Sequence, residues 1–408
     1  MKIGIYALWM RPGIVGGTES FLRALLEGFG TVDQENQYLL FTARDNYESF
    51  APVEEYSNMT RVKCPVDAAN RAARVAWENL FFDSLVRKSG AEVLYIPIYS
   101  KPRSRGDSVP YVVTIHDLQA LHYPEYFSKG RVEYMKQAWR HTCRTADLVV
   151  VSSEYGKKDL LRFCPEAAGK VRMIYDPVPA GKAVEPGKLA AVLEEYDLRE
   201  EKYDYCVSSL LPHKNLLTVL KALSLQKEKW RAGRGPEPAK LVISGVGGDR
   251  ESFERALGDL RIRDLVVDTG YVSNEERDAL YEGCRLFLFP SIFEGFGIPP
   301  IEAMRRGKRV VMTKKSCLLE VTKGQATYVE KPMDPDAWTE AMGQALQLAA
   351  GDLEREALSL GTETTGQEEA EDCGGKAPVI FPDYLTETIV PLYVEAFEDA
   401  RKARESHK

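Results

Sequence analysis

The chain has 408 residues, 54 basic and 61 acidic side chains, a net charge of −7 and 44% hydrophobic residues. That length exceeds one comfortable core and implies two domains of roughly 180–200 residues each. An acidic chain of pI about 5.6 lacks the basic surface that bulk nucleic-acid binding needs, so no nucleic-acid partner is expected. Seven scattered cysteines without a C-x-x-C pair read as buried thiols in a reducing compartment, with no zinc site. No apolar run reaches the ~18 residues that span a bilayer. The opening MKIGIYALWM, closely followed by Arg11-Pro12, reads as a first buried strand rather than a signal peptide.

From the N-terminus, Lys2 to Ala7 is the first expected strand. A loop through Gly16 and Gly17 leads into an amphipathic helix with Phe21, Leu22, Leu25, Leu26 and Phe29 inward. A Gly-Gly turn at a strand-to-helix junction lets backbone approach a phosphate, or is simply a tight connection. Residues 69–88 read as one helical stretch with Trp77, Phe81, Phe82 and Leu85 on the core stripe and Arg71, Arg74 and Arg87 off it. Strands at 93–96 and 111–115 follow, and His116 leaves the second at its carboxyl end. In an open α/β sheet that position points into the ligand crevice; capping a loop is the other reading. His122 reads as structural. The basic stretch 128–145, with Lys129, Arg131, Lys136, Arg140 and Arg144, is either a solvated face or a patch for anionic lipid head groups. Strands at 148–151 and 171–174 precede a Pro-rich linker, Asp176 to Gly181.

The second half opens with a strand from Tyr203 to Leu210, and Lys214 sits where a helix then starts. An ammonium beside a helix N-terminus suits a diphosphate, although a lone Lys is more often solvated. Leu241 to Asp249 is a strand with a Gly turn, but its spacing fails the dinucleotide fingerprint. After Val266–Ser273 and a helix at 274–283 comes the most informative stretch, Phe287 to Val311. It reads strand, Gly loop, helix, strand, with Pro299 and Pro300 at the helix start and Gly307 at its stop. The amides of Gly295, Phe296 and Gly297 sit where a helix N-terminus attracts anions and hydroxyl oxygens, flanked by Glu294 and Glu302. Spacing alone also allows an ordinary strand–helix unit with two solvated glutamates. Gly351 to Gly375 holds eight acidic residues against one Arg and reads as a surface insertion. Helical spacing returns at 381–400.

The wording FPSIFEGFGIPPIEAM, with its E-x7-E spacing at Glu294 and Glu302, resembles the signature of retaining, nucleotide-sugar-dependent glycosyltransferases of family 4 (group 1). LLPHKNL around Lys214 is similar to that family's phosphate-gripping motif, and TIHDLQALHYPEYF around His116 to its bacterial mannosyltransferase-like members. The resemblance implies the α/β GT-B fold, two Rossmann-like domains with parallel sheets facing across a cleft. The implied domains are an acceptor domain at 1–178, a nucleotide-sugar-binding domain at 179–383, and a terminal helix at 384–408 that crosses back onto the first. It further implies that Gly16 and Gly17 lie against the donor diphosphate and the acceptor, and that Lys214 and the amides of 295–297 stabilise the leaving phosphate. Glu302 would accept hydrogen bonds from ribose, backbone of Tyr271 and Val272 would hold the base, and Glu294 and His116 would face the sugar. Ser209 in the donor site departs from the family, since many members carry Arg there.

The expected function is transfer of a hexose from a nucleoside diphosphate sugar to a saccharide or lipid-linked saccharide. The nucleotide sugar is the co-substrate, and no cofactor and no metal are expected. GDP-mannose is the expected donor, with a UDP- or other GDP-hexose as the alternative. The expected location is the cytoplasm, with peripheral contact at the inner face of the membrane left open. A catalytically weak nucleotide-sugar-binding protein and a GT-B sugar-nucleotide epimerase are the rival readings.

Overall fold

The computed structural model describes residues 1–14, 16–103, 107–179, 181, 183–245, 247–347 and 378–406. The acidic stretch 351–375 lies outside these. The chain divides into two compact units: Met1–Pro179 with Phe381–Lys408, and Ala180–Ile380.

In the first unit seven strands form one sheet: β1 (Lys2–Tyr6), β2 (Gln37–Thr42), β3 (Met59–Lys63), β4 (Val93–Ile96), β5 (Tyr111–Thr114), β6 (Leu148–Val151) and β7 (Val171–Met173). Their order is β3-β2-β1-β4-β5-β6-β7, and every pairing is parallel. Parallel neighbours need crossovers, and helices on both faces make those crossovers and bury the strands. Hence β6 reads Leu-Val-Val-Val without a polar residue, and all four are buried. The strand order reverses between β1 and β4, the kind of position where open α/β sheets bind ligands at their carboxyl edge.

The last helix, Thr386–Ser406, completes this unit. Its Ile389, Tyr393 and Phe397 join Phe29, Tyr38 and Tyr95 in one core. The helix comes so close to Gly17–Thr31 that a Cβ at Gly28 would stand 2.3 Å from Thr386 Cγ2. Arg401 and Arg404 reach Glu92 and Asp147 at 3.0 and 3.1 Å.

The single helix expected at 69–88 is broken. Arg71–Trp77 and Asp83–Ser89 are α-helical, but Glu78–Phe82 forms a π-turn. The wider turn shifts the inward stripe, so Phe81 is 56% exposed while Arg74 and Glu78 are buried. The expected linker is also partly packed. Asp176 is buried with its carboxylate on Ser152 Oγ at 2.6 Å, and Val178 N–H donates to Tyr384 C=O at 2.9 Å.

The second unit holds β8 (Tyr203–Val207), β9 (Lys240–Ser244), β10 (Val266–Gly270), β11 (Leu286–Phe289), β12 (Arg309–Thr313) and β13 (Thr327–Val329). They are ordered β10-β9-β8-β11-β12-β13, again all parallel. The reversal here lies between β8 and β11. Beyond β8 and β9 the loops press together: Leu210 N–H donates to Gly247 C=O at 2.9 Å. A Cβ at Gly245 would lie 2.0 Å from the Ser208 carbonyl oxygen. Gly245 and Gly248 therefore serve close backbone packing.

Six of the seven cysteines lie among the described residues, and all six are free and buried. Burial pushes the Cys206 thiol up to about 12. Among the described residues no helix is long and apolar enough to cross a membrane.

Candidate functional site

Two loops meet at the reversal of the six-stranded sheet, one leaving β8 and one leaving β11. The first closes as a single 3-10 turn, Pro212–Lys214, and stops at Asn215, whose φ of 52° is left-handed. Asn215 holds that conformation by donating to Pro332 C=O at 2.7 Å and accepting from Thr218 Oγ1 at 2.6 Å. The second loop is tied to the first by Ile292 N–H, which donates to His213 C=O at 2.9 Å. As a result Lys214 Nζ stands 2.6 Å from Glu294 Oε1, with both side chains largely withdrawn from water. The neighbouring His213 imidazole is held down to about 4 by burial and by the Lys214 charge, with Glu294 opposing.

Glu294 is fixed from the other side as well. Its N–H donates to Ser316 Oγ at 3.0 Å, and Cys317 Sγ donates to the carbonyls of Glu294 and Phe296, each at 3.3 Å. Gly297 enters the helix Ile298–Arg305 with φ of 98°. A Cβ there would meet Leu318 Cδ2 at 2.8 Å, so only glycine fits both the turn and the space. Phe296 and Gly297 are buried and Gly295 half-buried.

Glu302 lies one turn into that helix, which starts at Ile298, before the two prolines. Its Oε2 accepts from Tyr281 Oη at 2.9 Å, and its Oε1 lies 3.4 Å from Arg277 Nη2. Arg306 pairs in turn with Asp278 at 2.8 Å. Burial and the Glu302 carboxylate hold the Tyr281 phenol well above its ordinary range. Sequence reasoning missed Arg277, Tyr281 and Asp278. Their only signal was Arg277 and Tyr281 four apart on one helix, hence on one face.

The other expected positions are found as follows. Ser209 is half-buried between the packed loops. Tyr271 is 70% exposed just past β10, and Val272 half-buried. In the first unit Gly16 and Gly17 are exposed at the start of helix Gly17–Thr31, with φ of 63° at Gly16. Glu19 clasps that loop, accepting from Gly13 N–H at 2.8 Å and pairing with Arg23 at 2.9 Å. His116 is half-buried with Nε2 3.1 Å from Pro97 C=O, and Phe21 lies edge-on at 4.7 Å between ring centres. A carbonyl only accepts, so Nε2 carries a proton. His122 Nε2 hydrogen-bonds Asp159 Oδ2 at 2.7 Å. Asp334 caps its own helix through Asp336 N–H at 3.0 Å. Among the described residues there is no cluster of three or more His, Cys, Asp or Glu side chains able to hold a metal ion.

Comparison with known proteins agrees with this architecture. Residues 15–181 match the family described as Glycosyltransferase Family 4, and residues 194–359 the family described as Glycosyl transferases group 1. The O-antigen chain mannosyltransferase B of Escherichia coli is 32% identical over 246 residues, covering 58% of this chain and 61% of that protein. The O-antigen chain mannosyltransferase RfbU of Salmonella typhimurium is 25% identical over 236 residues, with the same coverage. The match thus spans 61% of the length of each of these relatives. Among solved structures, Anabaena HepE in complex with UDP and glucose superposes with a TM-score of 0.67 at 16% identity, covering 98% of this chain and 99% of that one. WaaG, a glycosyltransferase involved in lipopolysaccharide biosynthesis, gives 0.65 at 14% identity, covering 88% and 93%. At such identities the likeness carries the fold alone, which is GT-B.

Proposed function

For a chain that belongs to the family 4, group 1 glycosyltransferases, we propose retaining transfer of a hexose from a nucleoside diphosphate sugar to a saccharide or lipid-linked saccharide. The observation that carries this reading is the Lys214–Glu294 pair, 2.6 Å apart where the sheet order reverses between β8 and β11. A cation and a carboxylate held together there match the two charges that glycosyl transfer develops. The departing diphosphate gains negative charge while the sugar becomes oxocarbenium-like.

In this reading the bond from the sugar C1 to the diphosphate oxygen breaks, and its electron pair leaves with the nucleoside diphosphate. The Lys214 ammonium has three N–H donors; Glu294 takes one, and others meet the diphosphate. Preorganised charge of this kind commonly lowers the barrier more than any other single effect. Glu294 opposes the positive charge on the sugar. The acceptor hydroxyl attacks the same face, its proton passing to a phosphate oxygen, so the anomeric configuration is kept. Glu302, oriented by Tyr281 and Arg277, accepts from ribose hydroxyls, and Tyr271 and Val272 offer backbone to the base. His116 presents Nδ1 to a sugar hydroxyl, and Gly16 and Gly17 face diphosphate and acceptor. GDP-mannose is the donor we favour, on the sequence around His116 and on relatives named as mannosyltransferases. The reaction needs no metal, because side chains and helix-end amides neutralise the diphosphate. Work in the cytoplasm, with peripheral contact at the inner membrane face, fits a lipid-linked acceptor.

The test is a thermal-stability screen of nucleotide sugars followed by assay of nucleoside diphosphate release. A bound ligand raises stability by mass action. Stabilisation by a guanosine nucleotide with turnover of GDP-mannose is expected. Stabilisation by uridine nucleotides alone would overturn the donor, and binding without release at any acceptor would overturn transfer.

A further inference from the structure

We propose that the carboxyl edge of the seven-stranded sheet carries an oxyanion subsite built on Arg71, Arg74 and Arg131, which takes an anionic group, phosphoryl or carboxylate, on the acceptor. The inference rests on the glycosyl-transfer reading only in assigning that group to the acceptor.

The location comes from topology. Tyr6 is the last residue of β1 and Tyr99 and Ser100 follow β4 closely, so they flank the reversal in strand order where such sheets bind ligands. The Tyr6 hydroxyl donates to the buried Glu78 carboxylate. Arg74, nine-tenths buried, brings Nε to 3.4 Å from the same carboxylate. Yet Nε and Nη1 of Arg74 make no hydrogen bond although both are shut off from solvent. A buried guanidinium so poorly matched is costly unless further negative charge comes near.

Arg71 lies three residues earlier and therefore on the same helix face. It is exposed, and its guanidinium sits over the Tyr134 ring at 4.9 Å. The Tyr134 hydroxyl is 3.4 Å from Ser100 Oγ, which draws the helix Lys129–Thr145 to the loop after β4. Arg131, exposed on that helix with its guanidinium over the Phe127 ring at 5.2 Å, lies three residues before Tyr134 and therefore on the same helix face. Neither Arg71 nor Arg131 has a carboxylate partner among the described residues. The carboxylate that Arg74 meets, Glu78, is itself pushed toward its protonated form by burial.

A purely structural counter-ion for Glu78 would need Arg74 alone. Two further exposed guanidinium groups, each over an aromatic ring, are instead the donors that bind phosphoryl or carboxylate oxygens in forked pairs. Arg74 then supplies fixed charge from beneath, and Arg71 and Arg131 make the contacts. The donor diphosphate is already assigned to Lys214 in the other unit, so this anion belongs to the second substrate.

The test uses the full chain carrying Lys214→Gln, which disables the donor diphosphate site. Inorganic pyrophosphate and glucuronate are titrated into it calorimetrically. One anion should bind, and adding Arg71→Gln, an exposed change that leaves the fold intact, should raise its Kd by about tenfold or more, as for a lost charge-assisted hydrogen bond. Preference for pyrophosphate assigns a phosphoryl group, and preference for glucuronate a carboxylate. If neither anion binds, or if binding survives Arg71→Gln with Arg131→Gln unchanged, the proposal is wrong. Nucleotide-sugar binding by the unmodified chain reports separately on glycosyl transfer.

Discussion

Lys214 and Glu294 are 80 positions apart in sequence, yet ammonium and carboxylate stand 2.6 Å from each other. The pair couples two roles that sequence reasoning assigned separately. Each group restrains the other, so neither can be altered alone without changing its partner's position. Glu294→Gln is expected to lower kcat by ~10²-fold, as for loss of one preorganised electrostatic group, with a smaller change in KM. Lys214→Gln is expected to lower kcat as well. In the double variant the losses should fall well short of additive, as contacting residues do. Steady-state kinetics on the three variants provides the check; near wild-type kcat in Glu294→Gln removes Glu294 from the site.

Glu302 should behave differently. Glu302→Gln keeps an acceptor for ribose but loses charge, and is expected to weaken donor binding by ~1–2 kcal/mol with little effect on kcat. Tyr281→Phe, which removes the 2.9 Å bond that orients the carboxylate, should act in the same direction. Calorimetric titration of the donor against both variants measures it.

Acid should destabilise the fold partly through His213. Its folded value of about 4 lies below the ordinary 6.5, so between those limits the unfolded chain binds more protons than the folded one. Stability from this group is complete above 6.5 and is lost as the pH falls toward 4. His213→Asn should flatten that acid limb. Urea midpoints at pH 7, 5.5 and 4.5 give the comparison.

Turnover is expected to persist in EDTA if, as proposed, Lys214 and helix-end amides meet the charge on the diphosphate. Loss of activity that magnesium or manganese restores would contradict this.

Gly28→Ala should cost ~1–3 kcal/mol, the usual penalty for overpacking. The added methyl would stand 2.3 Å from Thr386 Cγ2 and 2.7 Å from Val390 Cγ2. A fall in Tm is the readout, and an unchanged Tm would mean that the last helix shifts freely.

Much of the strand–loop–helix at 286–313 was legible because Pro and Gly mark its boundaries and its strands are continuous apolar runs. The break at Glu78–Phe82 was not, since a π-turn leaves the residue types unchanged and alters only the phase of the pattern. Reading straight through that turn put Arg74 on the surface and Phe81 in the core. The partners of Glu302 were hidden for another reason. Tyr281 and Arg277 come from the preceding helix, and only tertiary packing decides which of its faces meets the 298–305 helix.

The helix Thr386–Ser406 seals a core whose other parts, Phe29, Tyr38 and Tyr95, lie far upstream. On the ribosome those parts emerge first and their closing piece only after all of Ala180–Ile380 has been made. The early sheet therefore waits with one apolar face unsealed while the second unit is translated, a state prone to aggregation. Chain order thus lets the first unit close only after the second has been made, whereas the second can close on its own as it leaves the tunnel.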